Sequence, residues 1–216
     1  MAQNTDNGYL ELIIGPMFSG KTSKLLEIYK QCVFCNIPVL VINHAIDVRY
    51  TPNMLSTHDD QNIPCEFTND LLNFWKSTDI QNVQVVLINE GQFFENLFEA
   101  VELMLHQKKR VYVCGLDGDF KRNKFGEILD LIPICDKVYK LQSLCALCKN
   151  GEKGIFSLRV TEDTDQTLVG VENYKPVCRN CYIQKENVER CIETNSWKSI
   201  FINYLNQKIY KGYNGR

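Results

Sequence analysis

Continuous apolar runs and helix-spaced apolar positions alternate along the first two thirds of the chain. The runs Tyr9–Ile14, Pro38–Ile42, Val83–Ile88, Val111–Leu116 and Lys137–Leu141 are predicted strands. Stretches such as Val39-Leu-Val-Ile42 and Val85-Val-Leu-Ile88 lack polar alternation, as strands covered on both faces of a parallel sheet do. Between them, apolar spacing predicts helices over Lys21–Cys35, Asn69–Lys76 and Phe93–Gln107, with a short one near Gly126–Leu131. This alternation implies right-handed crossovers and helices on both sheet faces, so the expected class is α/β. In such sheets ligands sit beyond the C-terminal strand ends, where Gly15, Asn89, Glu90 and Asp117 fall.

After Leu141 the pattern changes. Residues 145–181 are turn-rich, with a hairpin expected over Ile155–Val160 and a polar loop over Thr161–Gln166. From Ile183 the chain reads as a tail with a helix over Lys185–Leu205 and a basic end. The expected organisation is an α/β unit over 1–141, a small unit over 142–182, and a tail over 183–216.

Composition narrows the picture. Over 216 residues, 44% hydrophobic and 23% charged content is ordinary for a globular protein able to bury a core. A formal charge of -2 gives no electrostatic reason to expect nucleic-acid or anionic-membrane binding. The polar start Met1–Asn7 lacks a signal-peptide pattern, and no apolar run approaches the roughly 18 residues of a membrane span. A cytoplasmic protein is the expectation.

The segment Gly15-Pro16-Met17-Phe18-Ser19-Gly20-Lys21-Thr22 fits G-x-x-x-x-G-K-[ST], follows the first predicted strand and opens the first predicted helix. In that context its backbone N–H groups and the helix N-terminus form a concave anion site, a P-loop. Lys21 would reach the β- and γ-phosphates and Thr22 would ligate Mg²⁺. The expected ligand is a nucleoside triphosphate, and the expected fold a P-loop, RecA-like parallel sheet. The bland alternative is a glycine turn before a helix.

Ten cysteines raise the question of disulfides, but four form two C-x-x-C pairs, Cys145/Cys148 and Cys178/Cys181. Two pairs of thiolates complete a tetrahedral Cys₄ site with no open position, which implies a structural Zn²⁺. The segment between the pairs exceeds the roughly 15–20 residues of a compact zinc ribbon, so the metal would staple the ends of a long loop. A further pair, Cys32/Cys35, lies at i, i+3 in the first predicted helix and reads as core packing.

A carboxylate at the end of a buried strand beside a P-loop is where a Walker-B acid or catalytic base stands, and Val83–Ile88 is followed by Asn89-Glu90-Gly91-Gln92-Phe93-Phe94. With GPMFSGKT, this EGQFF stretch, Leu116-Asp-Gly-Asp-Phe-Lys-Arg-Asn-Lys-Phe-Gly126 and the two C-x-x-C pairs in order, the chain resembles the thymidine kinases shared by animal cytosol, many bacteria and large DNA viruses. The resemblance covers about residues 9–182.

It implies transfer of the ATP γ-phosphate to the 5′-hydroxyl of thymidine or deoxyuridine, in nucleotide salvage, with Glu90 as proton acceptor. The residue-level alternative for Glu90 is the N-cap of the next helix. The resemblance places Asp47 and Arg49 near the triphosphate, and Asn89 and Gln92 among the ATP-binding positions; from sequence alone Asp47-Val-Arg49 is an ordinary solvated loop. It places Met17, Leu116, Phe120, Phe125, Thr167, Leu168 and Tyr174 around the nucleoside, where each aromatic alone would read as core. It further implies that the stapled loop is a lasso closing over the base, and that the protein is a homotetramer.

The sequence departs from the family twice. The family's Asp before the Glu is here Asn89, an amide that brings no charge, so a weakened or shifted Mg²⁺ dependence is expected. Asp119 stands where a small hydroxyl residue is usual, close enough to the pocket to alter which nucleosides are accepted. Two rival readings stay open: a RecA-like motor ATPase acting on nucleic acid, and a non-catalytic zinc-ribbon module. The acidic net charge argues against the first. Against the second, Lys149, Lys153, Arg159 and Arg179 are offset by Glu152, Glu162, Asp163 and Asp165.

Overall fold

The computed structural model describes residues 7–47, 54–56, 62–161, 163–168 and 170–185. Within them the chain runs β1 (Tyr9–Ile14), α1 (Lys21–Phe34), β2 (Val39–His44), β3 (Met54–Ser56), β4 (Asn62–Pro64), β5 (Glu66–Thr68), α2 (Leu71–Ser77), β6 (Val85–Ile88), α3 (Leu97–His106) and β7 (Arg110–Gly115). There follow β8 (Lys137–Lys140), β9 (Ser143–Leu144), β10 (Lys153–Gly154), β11 (Phe156–Arg159) and β12 (Tyr174–Val177). Six strands form one sheet in the order β5-β2-β6-β7-β1-β8, parallel at every pairing. The strand feeding the glycine loop, β1, and the strand feeding Asn89 and Glu90, β6, are thus separated by β7 alone.

Strand periodicity divides the core between the sheet faces. Leu10, Leu12 and Ile14 point to a cluster with Trp75 of α2, Leu97, Val101 and Met104 of α3, and Ile128 and Leu131. Ile13 points the other way, against Leu25, Leu26, Ile28 and Cys32 of α1 and Leu55 and Ile63 of the β3–β4 hairpin. Each such fully buried aliphatic side chain contributes about 1.5–3 kcal/mol relative to exposure. Helices therefore cover both faces, as the unbroken apolar strands required.

Several boundaries differ from expectation for local reasons. The expected helix over Phe93–Gln107 starts at Leu97, because Gly91–Phe93 form a separate 3₁₀ turn and Phe94 is extended. The short helix near Gly126–Leu131 is a 3₁₀ segment, Ile128–Ile134, that carries Pro133. Ile155–Val160 is not a hairpin: it has no turn residue, and β11 pairs antiparallel with β12 instead. Three-residue strands β3, β4 and β5 are too short for periodicity to reveal. Of the Cys32/Cys35 pair only Cys32 is buried; Cys35 caps α1 and is exposed. Beyond Lys185 the expected tail helix, with Trp197, Phe201 and Tyr204, and Tyr210 after it lie outside the described residues.

A third apolar cluster joins Cys145, Leu158, Val177, Cys178 and Tyr182, with Phe156 against it. Among the described residues no helix is long and apolar enough to cross a membrane.

Candidate active site

The turn after β1 takes its shape from its glycines. Gly15 has φ 152°, and a Cβ there would lie 2.5 Å from the Leu141 carbonyl oxygen; Gly20 has φ 82° and caps α1. Inside the turn Ser19 Oγ and Lys21 Nζ donate to the Pro16 carbonyl at 2.8 and 2.7 Å. The Met17 amide donates to Ser157 Oγ of β11 at 2.9 Å, tying the loop to the segment between the cysteine pairs.

Met17 to Thr22, Asp47, Glu90, Gln92, Leu116, Phe120, Phe125, Thr167, Leu168 and Tyr174 all line one cleft at the C-terminal end of the sheet. Residues that lie some 150 positions apart in sequence are thereby brought together. Gly15 and Pro16 shape the turn without lining the cleft, Asn89 is buried beneath it, and Arg49 lies outside the described residues. Phe125 is buried, edge-on to Phe93 at 5.4 Å between centroids.

Glu90 has φ 53° and ψ 40°, left-handed backbone for a non-glycine residue, which is stored at functional sites at a cost of about 1–3 kcal/mol. Its side chain makes no cap bond to the following turn, and the cap position of α3 belongs to Asn96. The helix-cap alternative is therefore removed. Gln92 Nε2 donates to Glu90 Oε2 at 2.7 Å, and Gln92 Oε1 accepts from the Leu116 amide at 2.9 Å. Beside them His44 packs edge-on to Phe94 at 4.8 Å, and burial holds its imidazole below its ordinary value against the opposing pull of the Glu90 carboxylate.

Asn89 belongs to a buried polar chain. Its Nδ2 donates to Asn43 Oδ1 at 3.1 Å, and Asn43 Nδ2 donates to Asp47 Oδ2 at 3.2 Å. Asp47 also lines the cleft, so it is no ordinary solvated loop residue; it is 5% exposed. Asp119 too is occupied: Oδ1 accepts from the Lys121 and Asn123 amides, each at 2.8 Å, and Oδ2 from Gln166 Nε2 at 2.9 Å. Its carboxylate is spent on joining the 119–123 loop to the 163–168 segment.

Sequence reasoning missed Ser157, Arg159 and Gln166. Arg159 is 4% exposed, and its guanidinium lies 3.8 Å over the Phe120 ring. It donates to the carbonyls of Asp163, Asp165 and Gln166 and to the Tyr174 hydroxyl. One side chain thus sets the path of the segment bearing Thr167 and Leu168. The available signal was a lone arginine inside an apolar strand, Phe156-Ser-Leu-Arg159.

The sulfurs of Cys145, Cys148, Cys178 and Cys181 lie within 4.8 Å of one another. Tetrahedral zinc with Zn–S bonds of about 2.3 Å needs sulfur separations of about 3.8 Å, so the set fits after small adjustments. Burial pushes the Cys145 thiol up, but amide donors at Cys148, Cys178 and Leu147 outweigh it and bring the thiol down to about 6. Cys181 moves the opposite way, pushed up to about 12 by burial and by the neighbouring sulfurs, so without a cation the cluster favours one thiolate among protonated thiols. Elsewhere Cys65 and Cys114 behave as buried small hydrophobes, their thiols pushed up to about 12 by desolvation.

Comparison with known proteins adds an independent line. A family model described as thymidine kinase matches residues 8–182. A thymidine kinase of sheeppox virus is 38% identical over 178 residues, covering 82% of this chain and 98% of the relative. Thymidine kinase 1 of Dictyostelium discoideum is 37% identical over 188 residues, covering 83% of this chain and 80% of the relative. The cytosolic thymidine kinase of Bos taurus is 35% identical over 198 residues, covering 85% and 80%.

Proposed function

The chain belongs to the thymidine kinase family, and from that premise we propose how its cleft carries out the reaction: the γ-phosphate of ATP passes to the 5′-hydroxyl of thymidine or deoxyuridine, with Glu90 as general base. The observation that carries this is a single cleft lined both by the glycine loop 17–22 and by Leu116, Phe120, Phe125, Thr167, Leu168 and Tyr174, with Glu90 and Gln92 in the same wall. Donor and acceptor sites that share one wall can bring oxygen and phosphorus into line, which is most of what phosphoryl transfer asks of a protein.

The roles follow from the chemistry of each group. Backbone N–H groups of residues 18–22 cradle the phosphates, and Lys21 exchanges its internal bond to Pro16 for the β- and γ-oxygens. Thr22, in the first turn of α1 and in the cleft wall, would hold Mg²⁺, which would supply positive charge beside the phosphates. Asp47 and Arg49 flank the triphosphate. Phe120 and Phe125 pack the pyrimidine, while backbone at Thr167 and Leu168 reads its edge and Tyr174 closes over it. Glu90 takes the hydroxyl proton; such bases contribute about 10²–10⁴-fold. The four cysteines hold a structural Zn²⁺ that staples the segment carrying Thr167, Leu168 and Tyr174.

The chain then divides into an α/β unit over 1–141, a lasso over 142–182 and a tail from 183. By family resemblance it works in the cytoplasm as a homotetramer, which light scattering on the purified protein would test. The motor-ATPase alternative has no support once the family is established. Incubation with thymidine, ATP and Mg²⁺ should yield thymidine monophosphate, and Glu90→Gln should lower turnover by about 10²–10⁴-fold. Absence of product from the unmodified protein would overturn the reading.

A further inference from the structure

The Glu90–Gln92 turn is built more rigidly than a loop at a cleft needs to be. Gln92 is 3% exposed although its backbone belongs to a three-residue 3₁₀ turn. Both ends of its side-chain amide are engaged, one with Glu90 Oε2 and the other with the Leu116 amide. A backbone N–H can only donate, so the Leu116 contact fixes which end of the amide is oxygen. The group presented to Glu90 is therefore an N–H donor.

Glycines close the slot around this residue. A Cβ on Gly115 would lie 2.4 Å from Gln92 Oε1, and one on Gly126, whose φ is 60°, would lie 2.1 Å from the Gln92 carbonyl oxygen. At Gly126 the obstacle is backbone and excludes a side chain, whereas at Gly115 it is the amide oxygen itself, which would have to leave the Leu116 amide to make room. The slot also joins two walls of the cleft, since Leu116 and Phe125 flank the two glycines in sequence and both line it.

We propose that Gln92 is a positioning residue for phosphoryl transfer. It engages Oε2 of Glu90 and ties that carboxylate to the backbone of the nucleoside wall at Leu116. A nucleoside seated against residues 116–125 is then in register with its base. Gln92 acts through Glu90. The proposal rests on the reading of Glu90 as general base. The other titratable groups nearby are His44 from β2, Lys21 from the glycine loop, Asp47 in the cleft wall and Cys114 from β7.

The test is a two-residue cycle on the full chain. Gln92→Glu is isosteric and keeps an oxygen toward Leu116, but replaces the donor facing Glu90 by an acceptor. It should lower kcat by about 10–100-fold, the loss of a hydrogen bond to a charged group, with KM for ATP within about twofold of wild type. Combining it with Glu90→Gln reverses the polarity of the pair and restores one donor and one acceptor. The double variant should lose no further turnover relative to Glu90→Gln alone, and its Tm should recover above that of Gln92→Glu. Wild-type kcat for Gln92→Glu beside an impaired Glu90→Gln would overturn the positioning role. Equal fold-losses in both backgrounds would do the same. Wild-type turnover by Glu90→Gln would remove the base reading itself, a result distinct from either.

Discussion

The side-chain amide of Asn89 donates to Asn43 Oδ1 at 3.1 Å, with both residues fully buried where β6 and β2 leave the sheet. The pair is neutral, and the nearest charge reached through it is Asp47, which lines the cleft. The residue that precedes Glu90 is thus a neutral amide already committed to a neighbour.

Asn89→Asp should shift the Mg²⁺ titration of activity to lower concentration by restoring a charge near the metal. It should also destabilise the fold by about 1–3 kcal/mol, because a buried donor to Asn43 is lost and a charge is buried near Asp47. Mg²⁺ titrations and urea midpoints on both proteins check this. Superimposed titration curves would rule out a role for residue 89 in metal binding.

Arg159→Lys tests whether the thymidine-side segment is held by one guanidinium. Lysine keeps the charge but offers a point donor in place of a fork reaching three carbonyls and a hydroxyl. The expected result is a rise of about tenfold or more in KM for thymidine, from the loss of at least one strong hydrogen bond, with KM for ATP nearly unchanged. A parallel rise in both constants would show a general loss of structure instead.

Zinc content and thiol substitution address the cysteine cluster. One zinc per chain is expected by elemental analysis, and Cys178→Ser should lower both metal content and thermal stability, since ligand binding free energy at such sites is folding free energy. Thymidine binding should fail while nucleotide binding by the glycine loop persists, because the Met17–Ser157 bond is the described hydrogen bond between that loop and the stapled segment. Full thymidine affinity in a zinc-free variant would sink the stapling role.

The parts of this fold that were legible in sequence are those governed by local rules. Tyr9–Ile14 is a strand as read, since an apolar run before a glycine loop admits little else. The glycine loop and the paired cysteines are legible from spacing, and Glu90 stands out by its place at the end of an apolar run. What stayed hidden is tertiary. Nothing local marks Glu66–Thr68 as an edge strand, because three residues carry no period and its partner β2 lies over twenty positions away. Nor does sequence show that Ser157 meets Met17, 140 positions apart, or that the Asp119 carboxylate accepts hydrogen bonds from the Lys121 and Asn123 amides and from Gln166. Arg159 reads in sequence as one surface cation among several near the cysteines, whereas it is buried and gathers the carbonyls of Asp163, Asp165 and Gln166.

His44 gives the protein an acid-side instability whose sign can be worked out. Burial lowers its folded-state value beneath the ordinary 6.5, while Glu90 pulls weakly the other way. Between the folded value and about 6.5 the unfolded chain binds more protons, so stability rises with pH across that window and is fully present above it. As pH falls through the window the buried imidazole must be charged or exposed, and stability is lost. Urea midpoints measured from about pH 5 to 8 should therefore fall on the acid side, and the slope should flatten in His44→Gln. Glu90→Gln removes the carboxylate that favours the imidazolium, so in that variant the acid-side loss should grow. An unchanged slope in His44→Gln would assign the acid sensitivity to other groups.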